Sequence, residues 1–187
     1  MKILLISHSP KLYGAERSLL DLAEGLARSG HEFLVLCPSP GLLSQELDKL
    51  KINVSHMPFP GIGTGSFKEV LLFLLRFFPV VIRLSRWMKQ KKVSIVYSNT
   101  INALYGPVAA KLIGVKSVWH IREVKPQKAF LTKIAGTVIN IFSSEVIFNS
   151  HATMKAFKKT PPSSWHVIYN GIEVRKYLKK KEDGSHF

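Results

Sequence analysis

The chain is poor in cysteine and poor in acids. Of its 187 residues only Cys37 is a cysteine, so no internal disulfide can form. Cys37 ends an apolar run and reads as a buried, inert thiol, which fits a reducing compartment. Asp and Glu number 12 against 27 Lys and Arg, which gives a formal charge of +15 and a pI near 10.0. Such a balance favours anionic partners: phosphorylated substrates, anionic lipid or nucleic acid. The seven histidines are scattered, with no pair at ligand spacing, so no metal site is expected. The strings G-x-G-x-x-G, G-x-x-x-x-G-K-[ST] and G-x-S-x-G are missing. Their absence removes a nicotinamide cofactor, P-loop chemistry and a hydrolase nucleophile elbow, and no other cofactor is expected.

Long apolar runs are missing too. The most apolar stretch is Val70 to Ile82, VLLFLLRFFPVVI, interrupted by Arg76 and Pro79. It is shorter than the roughly 20 residues a spanning helix needs. Only a few apolar residues follow Lys2, and no small-residue cleavage site comes after them, so no signal peptide is expected. Repeats and low-complexity segments are absent. The length suits one well-buried domain.

What is present begins at residue 1. Lys2 to Ser7 is a short apolar strand. Ala15 to Arg28 carries Leu19, Leu20, Leu22, Ala23, Leu26 and Ala27 at helical spacing, stopped by Gly30. Between them lies a loop with Pro10 and Gly14. Further strands are expected at Glu32 to Cys37, Asn53 to Met57, Ser94 to Ser98, Lys116 to Ile121, Glu145 to Phe148 and Trp165 to Tyr169. Helices are expected at Leu42 to Leu50, Phe67 to Lys91 (kinked at Pro79), Ile101 to Ile113, Ala129 to Phe142 and His151 to Lys158. Pro58 to Ser66 reads as a loop, and the basic tail from Arg175 as poorly ordered. Strands alternate with helices and hairpin signals are absent. The expected fold is α/β: a Rossmann-like three-layer sandwich with a mostly parallel sheet of about seven strands.

In such a sheet the ligand sits at the carboxyl ends of the strands, beside helix N-termini. The polar residues expected there are Ser7, His8 and Ser9; Ser98, Asn99 and Thr100; His120, Arg122 and Glu123; Asn149 and Ser150; Asn170 and Gly171. Each has a plainer reading. Gly14 would serve a tight turn, Glu16 the dipole of its helix, Asn149-Ser150 a helix cap, Asn170-Gly171 a turn, and Arg122-Glu123 a surface ion pair.

Four strings carry a resemblance. Gly14-Ala15-Glu16 opens the helix RSLLDLAEGLARSGHEFLVLCP, and VWHIRE (118–123), VIFNSHAT (146–153) and VIYNGIE (167–173) follow in order. Together they resemble the N-terminal domain of family 4 glycosyltransferases with the GT-B fold, over nearly the whole chain to about Tyr177. The resemblance implies a retaining, metal-independent enzyme that uses a nucleotide-sugar donor and a lipid-linked or saccharide acceptor. It implies that residues 1–177 form the acceptor-side domain, that 178–187 form a tail, and that a C-terminal donor-binding domain is absent from these 187 residues. Gly14, Ala15 and Glu16 would approach the donor phosphates. His120 would contact the transferred sugar as the catalytic residue. Asn99, Thr100, Arg122, Glu123, Asn149, Ser150, Asn170 and Gly171 would shape the cleft. One departure is Tyr13, which stands where many members carry a first glycine. Without its second domain the isolated chain is expected to be inactive.

Phe67 to Lys92 carries seven basic residues and one acid, Glu69, among apolar and aromatic positions. A sheet-covering helix with a solvated basic face is one reading. A helix on an anionic membrane surface, held by Arg83, Arg86, Lys89 and Lys92, is the other. The second implies a cytoplasmic protein peripheral at the inner face of the membrane. Nucleic-acid motifs are missing, so nucleic acid ranks last among the anionic partners. Three classes stand open: half of a glycosyltransferase whose other half is a separate domain or chain; a non-catalytic membrane-recruiting or binding subunit that needs a partner chain; and an unrelated nucleotide-binding α/β protein. A sheet order other than 3-2-1-4-5-6-7 would favour the last.

Overall fold

The computed structural model describes residues 1–59, 67–122, 137–157 and 162–171. The strands are β1 (Lys2–Ile6), β2 (Glu32–Cys37), β3 (Val54–His56), β4 (Ile95–Ser98), β5 (Lys116–Ile121), β6 (Glu145–Phe148) and β7 (Trp165–Val167). All pair in parallel, in the order β3-β2-β1-β4-β5-β6-β7. This is the order expected above. The chain moves outward from β1 to β3, then returns to lay β4 on the other side of β1. The point of reversal, between β1 and β4, is where open sheets of this kind bind ligands.

The helices are α1 (Gly14–Arg28), α2 (Leu42–Lys49), α3 (Phe67–Gln90), α4 (Tyr105–Leu112), α5 (residues 137–142) and α6 (His151–Phe157). Strand side chains alternate between the two faces of the sheet, and so do the cores. Leu5, Val35 and Cys37 meet Leu19 and Ala23 of α1 and Leu43 and Leu47 of α2. On the opposite face Leu4, Ile6, Leu36 and Val96 meet Val81, Leu84 and Met88 of α3 and Ala109 and Ala110 of α4. Trp119, Ile121, Val146 and Phe148 pack with Ile139 of α5 and Phe157 of α6. Each fully buried leucine here is worth about 1.5–3 kcal/mol relative to exposure. Cys37 is fully buried, and burial pushes its thiol up to about 12, so it is inert.

The helix expected from Ile101 begins at Tyr105 instead. Residues 101–104 form a turn closed by the Ala103 N–H donating to the Thr100 carbonyl at 3.1 Å. The late start leaves Pro107 in the first turn, where its missing N–H costs no helical bond. α3 runs without a break through Pro79. Leu75, whose carbonyl Pro79 cannot satisfy, is exposed, so water can serve it. The expectations for the loop over residues 60–66, for Glu123, for the start of the helix at Ala129, for Lys158, for the 177 boundary and for the tail lie outside the described residues. Among the described residues no helix is long and apolar enough to cross a membrane.

Candidate functional site

The loop from Ser7 to Tyr13 is held by its own polar groups. The Ser7 hydroxyl donates to the Ser9 carbonyl at 2.9 Å, and the Ser7 N–H donates to Leu36 O at 3.0 Å, one step beyond the β1–β2 pairing. Pro10 packs on Gly41, where a Cβ would lie 2.4 Å from the Pro10 carbonyl oxygen. That oxygen accepts the Leu43 N–H at 3.2 Å. The loop is thereby tied to the start of α2 and delivers Gly14 to the first position of α1.

Gly14 itself is not a turn glycine. Its φ lies outside the left-handed region, and a Cβ there would meet nothing within 4 Å. The fold has no need of glycine at this place, and the space is open to a ligand. Gly14→Ala is therefore expected to leave the melting temperature unchanged or to raise stability by up to about 1 kcal/mol, while weakening the binding of an anion in the cavity beside it. Thermal melts beside a binding titration check the two opposite signs.

Glu16 is only 2% exposed. Its carboxylate accepts the Tyr13 N–H at 3.2 Å, and its other oxygen stands 3.9 Å from His8 Nδ1. It satisfies one of the free N–H groups at the head of α1 and also lines the cavity. Ala15 and Glu16, in the first turn of α1, line the same cavity.

The strand ends come together as the topology requires, though not all in the same role. Asn99 and Thr100 are buried braces. Asn99 Nδ2 donates to the Ala15 carbonyl at 2.7 Å, which fixes the head of α1 to the end of β4. The Thr100 carbonyl accepts the Trp119 indole N–H at 2.7 Å, and its hydroxyl lies 3.0 Å from His8 Nδ1. Ser150 is a cap: its hydroxyl accepts the Thr153 N–H at 3.1 Å. Asn149 donates to the Arg122 carbonyl at 3.1 Å and accepts from the Thr153 hydroxyl at 2.9 Å.

Arg122 is the junction. Its guanidinium donates to Asn99 Oδ1 at 3.3 Å and to Asn170 Oδ1 at 2.6 Å, and stands 3.1 Å from His120 Nδ1. These partners are neutral, so they leave its charge available to an anion. Two cavities meet at the Arg122–Asn170 bridge. One, of about 590 Å³, is lined by His8, Lys11, Tyr13, the Gly14–Glu16 turn, Arg122, Asn149 and Asn170. The other, of about 550 Å³, runs beside α1 past Asp21, Tyr97, His120, Arg122, Ile168 and Gly171. The structure thus brings Gly14, Ala15, Glu16, Arg122, Asn149 and Asn170 around one space. His120 lies in the adjoining recess, 6% exposed, with Gly171 on its rim. Burial and the Arg122 charge hold the His120 pKa down to about 3, so the ring is neutral.

His8, one of the strand-end residues expected at the ligand edge, and Tyr13, the departure from the family's first glycine, line the first cavity; Lys11 lines it too and was not among the residues expected there. Its position in the loop after β1 was the available signal. Tyr97 belongs to the His120 recess and sits mid-strand, where nothing in the sequence marks it.

A seven-stranded parallel α/β domain whose polar strand ends, first α1 turn and Arg122 guanidinium gather at one edge of the sheet is a Rossmann-like domain. The model of Glycosyltransferase Family 4 matches residues 13–176. The chain belongs to that family, and its fold is that of GT-B glycosyltransferases. Among solved structures, Anabaena Alr3699/HepE in complex with UDP-glucose is 25% identical with a TM-score of 0.74, over 98% of this chain and 50% of that one. Acinetobacter baumannii MurG is 17% identical with a TM-score of 0.65, over 90% and 45%. The lipopolysaccharide outer core galactosyltransferase WaaB is 15% identical with a TM-score of 0.63, over 92% and 46%. The last two share the fold alone. The chain spans about half the length of these structures. A search of curated proteins gives no match.

Proposed function

We propose that this chain is the acceptor-side half of a retaining, metal-independent glycosyltransferase that moves a sugar from a nucleotide-sugar donor to a lipid-linked or saccharide acceptor. The observation that carries the reading is the convergence of the α1 N-terminus and the Arg122 guanidinium on one cavity. A departing nucleoside diphosphate needs positive charge set in place before the bond breaks. The helix terminus, Arg122 and Lys11 contribute part of it, and a second domain would contribute the rest. HepE was crystallised with UDP and with UDP-glucose, which makes those molecules the natural probes. Residues 1–177 would form this half, with the donor-binding half on a further domain or a separate chain.

The lipid-linked acceptor and the inner membrane face are supported by α3. Arg83, Arg86, Lys89 and Lys92 are all exposed. So are Leu72, Leu75 and Phe78 along its first half, and Ile82 just beyond. α3 follows β3 and leads back to β4, so this apolar half lies toward the ligand edge of the sheet. An exposed row of this kind beside basic residues suits an anionic lipid surface.

Amide shift mapping with UDP tests the site. The expected perturbations cluster at Lys11 to Glu16, Arg122, Asn149 and Asn170. Perturbations confined to the opposite edge of the sheet would overturn the assignment.

A further inference from the structure

Tyr97 and His120 face the same side of the sheet. Tyr97 pairs with Val118 in the β4–β5 register, and His120 is two residues further along β5. Their rings meet edge to face at 88°, with centroids 5.9 Å apart. The Tyr97 hydroxyl lies 2.5 Å from His120 Nδ1, and Arg122 Nη2 lies 3.1 Å from the same atom. A guanidinium has donors only, so an N–H at Nδ1 would point at another N–H. Nδ1 must therefore hold a lone pair. Burial raises the Tyr97 pKa, so the hydroxyl keeps its proton and donates it. A neutral imidazole with Nδ1 accepting carries its proton at Nε2. That atom is buried and has no partner among the described residues, and a native fold does not leave a buried donor unmet without a reason.

We infer that Tyr97 and Arg122 are positioning residues that lock His120 in its Nε2–H form, so that His120 meets an oxygen of the bound sugar as a hydrogen-bond donor and not as a base. The sugar in this statement rests on the function proposed above; the locked tautomer does not. Tyr97 and Arg122 each donate a hydrogen bond to Nδ1, so the ring is fixed from behind. Neither residue need touch the ligand through this contact.

Long-range proton–nitrogen spectra of the imidazole rings in the 187-residue chain test this without any assay of transfer. In the parent, between about pH 5.5 and 8, His120 is expected to show a pyridine-like Nδ1, a protonated Nε2 and no titration. The ionisable groups around it are Tyr97 on β4, Arg122 after β5, Asp21, Glu24 and Arg28 on α1, and Tyr169 after β7. Glu145 and His166 share the same sheet face. Tyr97→Phe keeps the ring and removes only the hydroxyl; the Nδ1 resonance is expected to move toward its unbonded position. With Arg122→Gln added, the tautomers should mix and the titration midpoint should rise by about one unit or more. The rise stays incomplete, because burial is the larger cause of the depression. A protonated Nδ1 in the parent would overturn the inference. So would a Tyr97→Phe spectrum unchanged at Nδ1, read with an amide spectrum that proves the variant folded. If sugar transfer is never found while these signatures hold, the proposed function fails and the lock stands.

Discussion

Arg122→Ala is expected to lower kcat/KM for sugar transfer by about 10²- to 10³-fold in a complete two-domain enzyme, the usual loss on removing one preorganised charge-stabilising donor. Arg122 faces the cavity formed by the α1 N-terminus, and its partners there are the neutral Asn99, Asn170 and His120. Its charge is therefore held in place and not spent on a carboxylate among them. The same substitution leaves Asn99 Oδ1 buried without its donor, a penalty of about 1–3 kcal/mol. Melting and kinetics together separate the two effects. Arg122→Lys restores a charge without the fork that spans Asn99 and Asn170, so it should recover stability poorly and activity in part. Unchanged specific activity in a folded Arg122→Ala enzyme would remove Arg122 from the site.

The second large effect concerns the membrane. The chain is expected to sediment with anionic vesicles at low salt and to be released as salt rises. Each basic residue near such a surface contributes about 1 kcal/mol, and the attraction fades beyond a Debye length of about 8 Å at physiological salt. Replacing Arg83, Arg86, Lys89 and Lys92 together with glutamine should cost about 3–4 kcal/mol, a hundredfold or more in partitioning. All four side chains are exposed, so the domain should remain folded. Leu75 and Phe78, 62% and 58% exposed, should carry whatever binding survives high salt. Equal sedimentation of parent and quadruple variant would rule out this end of α3 as the anchor. No binding by the parent at low salt would remove the membrane association itself.

The sheet could be read from the sequence because short doubly buried strands and amphipathic helices alternate without a hairpin signal. Its order followed from the family resemblance, and both were found. The start of α4 was misread because apolar spacing continues upstream of Tyr105, whereas the Thr100 carbonyl is taken by the Ala103 N–H of a turn and by the distant Trp119 indole. The gathering of polar strand ends at one edge of the sheet was legible. What each strand-end residue does there was not, because it depends on partners far away in the chain. Asn99 looks like a cleft residue in sequence, yet it is a brace because Ala15 and Arg122 claim its side chain. Tyr97 looks like one more core residue of SIVYS; only the register of β4 against β5 brings its hydroxyl to His120. The Arg122–Asn170 bridge joins residues 48 apart and divides the space into two cavities, which no local pattern encodes.

The central claim is that these 187 residues are half of a sugar-transferring cleft. The most direct test is release of UDP from UDP-glucose, with and without an acceptor, by the chain alone and by the chain supplied with a nucleotide-binding second domain of the family. The account predicts no turnover by the chain alone, because the leaving diphosphate meets only one side of its cradle, and turnover when the second domain is added. Robust transfer by residues 1–187 alone would contradict it.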